Sequence, residues 1–307
     1  MQSEKMCVVL LFGGMSSEHE VSRVSVGNFV NNIDREKYEV LTVGITKDGR
    51  WLYTEATAAQ MADGSWEELA GNMACVISPD RADHGMILFT PEGHVEKVHV
   101  DVVIPVLHGL WGEDGTVQGL LELAGIPYVG CGVLASAVCM DKAVANALFE
   151  ANGVPHTRWL AADRWEIESD LEGVCEGVEK KLGWPVFVKP ANAGSSVGIS
   201  KVSSRDELKK AIDLALENDR KVVFEAFVDG QEVECAVIGS DPAVSTRPGE
   251  ILAGAEFYTY DDKYKNGVSQ VVIPAKLPEE KLDEVKTYAA IAYTALGCEG
   301  LARCDFF

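Results

Sequence analysis

Seven apolar residues in a row, Met6 to Phe12, open the readable pattern. An unbroken run of this kind predicts a strand buried on both faces. It stops at Gly13-Gly14-Met15-Ser16-Ser17-Glu18, a turn followed by helix-start residues. Val21, Val24, Phe29, Val30 and Ile33 then recur at near-helical spacing, and Tyr38 to Ile45 returns to strand character. The opening therefore reads β-α-β. Residues 46–96 are less regular, with hairpin-like pieces near Trp51 and at Ile87-Leu88-Phe89. Val98 to Leu107 predicts another buried strand, ending in the glycine-rich loop at residues 108–115. A helix is expected over residues 116–124, closed by Gly125. Strands that alternate with helices and end in such loops predict an α/β domain with its site at the strand C-termini.

The pattern changes further on. Residues 128–136 read as a short strand and turn, and Asp141 to Ala151 as a helix stopped by Asn152-Gly153. Trp184 to Pro190 is a strand that carries Lys189; the small residues 191–198 follow, and Ile199 to Val202 resumes as strand. Ser204 to Glu217 is an amphipathic helix with Leu208, Ile212 and Leu216 inward. Strands are predicted at Val222 to Phe227 and at Gln231 to Ile238, a polar loop over residues 240–275, a helix from Pro278 to Leu296, and a strand from Arg303. Hairpin, helix and strand in this order predict a small antiparallel α+β unit, not a continuation of the first sheet. No internal repeat or low-complexity tract breaks the chain.

Charge narrows the partners. Among 307 residues, 27 Lys and Arg stand against 48 Asp and Glu, a formal net charge of −21. Such a surface repels nucleic acid and anionic membrane. A phosphorylated ligand would need the few cations gathered locally. No run approaches the ~18 apolar residues of a membrane span. The N-terminus lacks the length and cleavage site of a signal peptide, so a cytoplasmic location is expected. The eight cysteines form no Cys-x-x-Cys pair and several lie in apolar runs, which reads as buried reduced thiols.

The chemistry concentrates at a few places. Lys189 followed by Gly194-Ser195-Ser196-Val197-Gly198 puts a lysine, hydroxyls and side-chain-poor backbone at a hairpin tip, a combination suited to a phosphate chain. It is not a Walker A loop, because no Lys-Ser or Lys-Thr follows the second glycine. A mobile hairpin with glycines for turn geometry is the bland alternative. Gly130-Cys131-Gly132-Val133-Leu134-Ala135 matches a dinucleotide fingerprint, but Glu150, at the required offset, falls in a helix pattern, so an oxidoreductase reading fails. Lys142, read alone, is a surface lysine. Glu225 and Glu232 flank strand ends, where a carboxylate accepts from a ribose or simply faces solvent. His108 ends a buried strand beside a glycine-rich loop, which favours a functional role. Glu18-His19-Glu20 has no second ligand pair at helical spacing, so a metal there is not expected.

Taken together, these motifs resemble the D-alanine–D-alanine ligase family. Gly13 to Ser22 is similar to its N-terminal signature, and His108-Gly109 with Gly112-Glu113-Asp114-Gly115 and Gln118-Gly119 to its second motif. Met140-Asp141-Lys142, Lys189-Pro190, the 194–198 tip, Glu225, Glu232-Val233, Lys263-Tyr264 and Arg303-x-Asp305 follow in the family's order. The resemblance implies an N-terminal α/β substrate domain (residues 1–127) and an α+β ATP-grasp region. That region would comprise a small subdomain (128–228) and a large subdomain (229–307) that is incomplete at Phe307, because two Mg²⁺ ligands and the turn that receives the second D-alanine fall later in the family.

It further implies an ATP- and Mg²⁺-dependent enzyme that joins two D-alanines through a D-alanyl phosphate for peptidoglycan, working as a homodimer paired through the N-terminal domain. Lys142, Lys189 and Lys263 match phosphate lysines, and Ser196 lies in the same site. Glu225, Phe227, Val228, Glu232 and Phe257 match the adenine and ribose positions. Asp305 matches a Mg²⁺ ligand and Arg303 the arginine facing the intermediate. Glu18, with Val21 and His108, holds the first D-alanine by resemblance, and Ser195 and Tyr264 link Glu18 to a closing loop. Ala226 stands where some members carry a lysine near the adenine. Tyr264 favours a dipeptide product over a D-lactate ester. A D-alanine–D-serine ligase stays open, since some of these carry a long insert like residues 46–96, and a non-catalytic nucleotide-binding remnant is the reading if the chain truly ends at Phe307.

Overall fold

The computed structural model describes residues 5–194, 197–252 and 270–307, which fall into two compact units, Met1–Val133 and Leu134–Phe307. The first opens β1 (Met6–Gly13), α1 (His19–Asn32), β2 (Tyr38–Ile45) and β3 (Trp51–Thr54). It continues with α2 (Ala58–Asp63), β4 (Met73–Ile77), β5 (Gly85–Phe89), β6 (Val95–His99), β7 (Val102–Pro105) and α3 (Thr116–Ala124). Its seven-stranded sheet runs β6-β5-β4-β3-β2-β1-β7. Only β1 with β2 and β1 with β7 are parallel, so the predicted β-α-β opening is present and residues 46–96 add an antiparallel extension.

β1 is central and buried along nearly its whole length, which explains its unbroken apolar run. Leu11, Val43, Val103 and Leu121 pack on one face of the sheet, and Leu10, Phe12, Val26 and Trp66 on the other. Gly44 is required here, because a Cβ at this position would lie 2.3 Å from the Trp66 ring.

Three expectations change in this unit. The strand predicted over 98–107 is two strands, and they lie at opposite ends of the sheet order. Only Val100 and Asp101 separate them, and the Asp101 carboxylate accepts the Cys7 N–H at 2.7 Å and anchors that corner. Residues 128–136 contribute only an isolated bridge at Tyr128 before a helix begins at Val133. On α1, Val24 and Phe29 are exposed, and Val26 is the residue that seats the helix.

The second unit begins with α4 (Val133–Met140) and α5 (Lys142–Ala151), then β8 (Trp159–Asp163), α6 (Arg164–Ser169) and α7 (Leu171–Leu182). β9 (Val186–Pro190), β10 (Ser200–Val202), α8 (Arg205–Leu216) and β11 (Lys221–Ala226) complete a four-stranded antiparallel sheet of order β10-β9-β11-β8. This is the antiparallel unit the pattern predicts, widened by β8 at the far edge. Leu208 and Ile212 of α8 and Val178 of α7 pack on Val186, Val188, Val222 and Phe224. Burying one such side chain is worth about 1.5–3 kcal/mol, well above the few tenths that intrinsic propensity gives an exposed helix position. α5 covers the opposite face through Ala143 against Ala191, Val223 and Trp159.

β12 (Val233–Ile238) then pairs with β13 (Val244–Ser245), β14 (Gly249–Leu252) and β16 (Leu301–Phe306), and β14 pairs with β15 (Gln270–Val272). The polar stretch 240–275 thus holds short strands as well as loop. α9 (Glu279–Ala295) packs Leu282 against Val233 and Ala275.

Candidate functional site

The candidate residues form a cluster in each unit. In the first, β1 ends at Gly13, whose φ of +85° and a notional Cβ only 2.3 Å from the Ile45 carbonyl leave room for glycine alone. Ser22 of α1 accepts from the Gly13 N–H at 2.8 Å and donates to the Val106 carbonyl, so it ties α1 to the ends of both β1 and β7. Ser16 donates to the His108 carbonyl at 2.7 Å and accepts the Glu18 N–H at 3.1 Å. These bonds bring Glu18 and His108 together at the C-terminal edge of the parallel strands. Glu18 is buried, and a Cβ on Gly109 would stand 2.5 Å from its Oε2. His108 is half-buried, with Nε2 3.0 Å from the Ser25 hydroxyl. Val21 lies half-buried in the first turns of the same helix. The ring of His19 is placed by the Gly14 carbonyl at 2.8 Å and by Glu67 at 3.7 Å. Gly13, Gly14, Leu107 and His108 also line an apolar cleft of about 210 Å³ that Met15 and Trp111 border.

In the second unit, the two central strands of the antiparallel sheet and the start of α5 gather the cations. Asp141 caps α5 by accepting from the Ala143 and Val144 N–H groups at 3.0 and 3.2 Å. Its second oxygen takes Lys221 at 2.7 Å. Burial opposes ionisation of Asp141, but Lys221 and the cap outweigh it and hold the carboxyl below its usual range. The next residue, Lys142, donates to the carbonyls of Ala193 at 2.7 Å and Ala191 at 3.3 Å. Burial, and then the positive charge of Lys189, push the Lys142 ammonium down to about 8. The nearby carboxylates of Glu225, Asp141 and Asp219 offset only part of that.

Lys189 ends β9 with its ammonium 2.5 Å from Glu225 of β11, and Asn146 of α5 donates to the other Glu225 oxygen at 3.3 Å. Burial opposes ionisation of Glu225 too, and Lys189 outweighs it, so this carboxyl lies below its usual range. The Asp219 carboxylate holds the start of the small-residue tip through both nitrogens of Asn192, at 2.7 and 2.9 Å.

An aromatic surface adjoins these charges. Phe187 and Phe227 lie 6.2 Å apart, with Lys189 5.5 Å from the Phe187 centroid and Lys201 4.1 Å from that of Phe227. Val228 and Glu232 follow as half-buried residues, and the Ala226 N–H is taken by the Arg158 carbonyl at 2.9 Å. On β16, Arg303 grips Asp305 through two bonds of 2.8 and 3.0 Å and reaches Glu234 of β12 at 3.3 Å. A larger hollow of about 530 Å³, bordered by Glu150, His156, Arg158 and Trp159, contains none of the candidate residues.

Ser195, Ser196, Phe257, Lys263 and Tyr264 lie outside the described residues. Sequence reasoning missed Asn146, Phe187, Lys201 and Glu234. Phe187 was within reach, since it shares a strand face with Lys189 at two-residue spacing. Glu234 becomes visible only through its register opposite Asp305. Among the described residues, no three His, Cys, Asp or Glu gather as a metal cluster, and no helix is long and apolar enough to cross a membrane.

The model for the D-ala D-ala ligase N-terminus matches residues 7–131, and that for the D-ala D-ala ligase C-terminus matches 148–307. A D-alanine–D-alanine ligase of Acetivibrio thermocellus is 49% identical over 99% of the chain and 84% of its own length. One from Caldicellulosiruptor bescii is 46% identical over 99% and 82%. The VanG D-Ala:D-Ser ligase of Enterococcus faecalis superposes with a TM-score of 0.88 at 37% identity, covering 99% of this chain and 86% of that one. The D-alanine-D-alanine ligase of Coxiella burnetii superposes at 0.83 and 30% identity, covering 99% and 81%.

Proposed function

The chain belongs to the D-alanine–D-alanine ligase family, a family of ATP-dependent enzymes that form a peptide bond, and on that premise we propose that it joins two D-alanines through a D-alanyl phosphate. The observation that carries the nucleotide part is the convergence of Lys142, Lys189 and Glu225 beside a paired aromatic surface. In a chain this acidic, half-buried lysines gathered at one sheet end suit the holding of an anion. The dipeptide reading is supported by relatives at 49 and 46% identity that bear that name, against 37% for the D-Ala:D-Ser enzyme.

In the reaction, the carboxylate of the first D-alanine attacks the γ-phosphorus and ADP leaves. The amine of the second D-alanine then attacks the acyl carbon, and phosphate leaves through a tetrahedral species. Negative charge grows on phosphoryl and then carbonyl oxygens, so fixed cations lower both barriers. Lys142 and Lys189 hold the phosphates, with Ser196 and Lys263 assigned to the same task. Glu225 exchanges part of its Lys189 bond for the ribose, and Phe227, Val228, Glu232 and Phe257 hold the base. Glu18 anchors the first ammonium beside Val21 and His108. Arg303 faces the tetrahedral oxygen, and Ser195 and Tyr264 complete the lid over it.

Mg²⁺ is usually held by one or two carboxylates plus phosphate oxygens. The half-exposed carboxylate of Asp305, beside Glu234, fits one such ligand. Bound there, the ion would disperse phosphate charge. Residues 1–127, 128–228 and 229–307 are assigned as substrate domain, small subdomain and large subdomain. We assign the protein to the cytoplasm, to peptidoglycan precursor supply, and to a homodimer using the exposed Val24, Phe29 and Leu123 of the N-terminal unit. The test is phosphate release from ATP that depends on D-alanine and is matched by dipeptide. Release that ignores D-alanine would refute the reading.

A further inference from the structure

We propose that Cys139 and Cys298 are a thiol–disulfide couple that controls the nucleotide corner of the second unit. Neither is in a disulfide in the structure, and their Sγ atoms lie 3.7 Å apart although 159 positions separate them in sequence. Cys139 is exposed on the last turn of α4, and Cys298 is buried just beyond α9. The Cys298 position is rigid: Gly297 takes φ +68°, and the Cys298 N–H returns to the Tyr293 carbonyl at 3.0 Å. The two thiols therefore face each other, one open to solvent and one not.

That asymmetry sets the order of chemistry. The Cys139 thiolate attacks one sulfur of a low-molecular-weight disulfide, forms a mixed disulfide and expels one thiolate. The Cys298 thiolate then attacks the Cys139 sulfur, forms the protein bridge and expels the second thiolate. The two protein thiols are oxidised, the small disulfide is reduced to two thiols, and the two cysteine protons end on them. In a reducing compartment such a bridge is transient.

Its position gives it an effect. Cys139 lies three residues before Lys142 and two before the Asp141 cap, while Cys298 leads into β16 and its Arg303 and Asp305. Closing the sulfurs from 3.7 Å to bonding distance turns both side chains and tethers the two segments that carry them. A displacement of about 1 Å at a positioned group costs on the order of 100-fold in rate, and a smaller effect, about tenfold, is expected on affinity. The effect on nucleotide rests on the ATP reading above; the bridge itself does not.

The experiment treats the whole protein with oxidised glutathione, maps peptides without reduction, and measures ATP affinity by calorimetry before and after. The expected result is a linked peptide joining Cys139 and Cys298 and about tenfold weaker ATP binding, reversed by dithiothreitol. Cys139→Ser should abolish both changes, and Cys298→Ala should trap glutathione on Cys139. Glutathione left on Cys139 of the unsubstituted protein, with no linked peptide, would overturn the bridge. A linked peptide with unchanged ATP affinity would overturn the control. Reduced protein with no ATP affinity would overturn the nucleotide reading and the control with it, while the peptide map would still decide the bridge.

Discussion

Lys189 and Glu225 sit on neighbouring antiparallel strands, two positions apart on the diagonal, with ammonium and carboxylate 2.5 Å from each other. The pair is largely withdrawn from solvent, with side-chain exposures of 21 and 15%. A charge-assisted bond of this kind is worth about 1.5–3 kcal/mol. Lys189→Ala should therefore weaken ATP binding by roughly ten- to a hundredfold, by loss of one phosphate bond. It should also remove the ion-pair partner of the largely buried Glu225, so some loss of thermal stability is expected. Calorimetric ATP affinity equal to the unsubstituted protein would exclude Lys189 from the phosphate site.

Lys142 gives a pH dependence. Its ammonium titrates near 8 in the free protein, below the usual lysine range, because it is buried and faces Lys189. Phosphate oxygens stabilise the charged form and raise that value in the complex. ATP binding should then take up protons near pH 8. The favourable contribution is complete below that pH and is lost as pH rises from there towards the value in the complex. Calorimetry in buffers of different ionisation enthalpy reads the proton uptake directly. Lys142→Arg should remove it, since arginine stays charged throughout. Equal uptake in the variant would place the titrating group elsewhere.

Gly109→Ala tests the substrate cluster. Gly109 has φ +69°, and a Cβ there would meet Glu18 Oε2 at 2.5 Å. The carboxylate has to move or the turn has to strain, at a cost of about 1–3 kcal/mol. The KM for the first D-alanine should rise more than the KM for ATP. A change confined to ATP would separate Glu18 from the amino acid site.

Tyr264→Phe tests the assigned lid. It keeps the ring and takes away the hydroxyl that the proposed lid would use, a bond worth about 0.5–1.5 kcal/mol. ATP affinity should hold, while dipeptide formed per phosphate released falls, because an acylphosphate open to water hydrolyses. An unchanged ratio and unchanged preference for the second amino acid would remove Tyr264 from that role.

Much of this was legible in the chain. β1 could be read because it is buried on both faces, and α8 because its core side recurs at Leu208 and Ile212. The segments over 154–183 were not read as elements, since β8 is a short edge strand with Trp159 and Leu160 only partly covered. The break between β6 and β7 was hidden because Asp101 looks like a lone polar residue until its bond to Cys7 is seen. Lys142 and Lys189 were found by motif, but Asn146 was not, since its bond to Glu225 depends on α5 packing against that sheet. The Arg303–Asp305 grip is spaced at two on a strand and could have been read; its third member, Glu234, needed the pairing of β12 with β16.

The central claim is that ATP is spent on joining two D-alanines. The most direct measurement follows phosphate release and D-alanyl-D-alanine together in one reaction. Phosphate release should depend on D-alanine, one phosphate should appear per dipeptide, and Glu18→Gln should lower both together while ATP affinity holds. Phosphate released without D-alanine, or D-alanine consumed with no dipeptide, would contradict it.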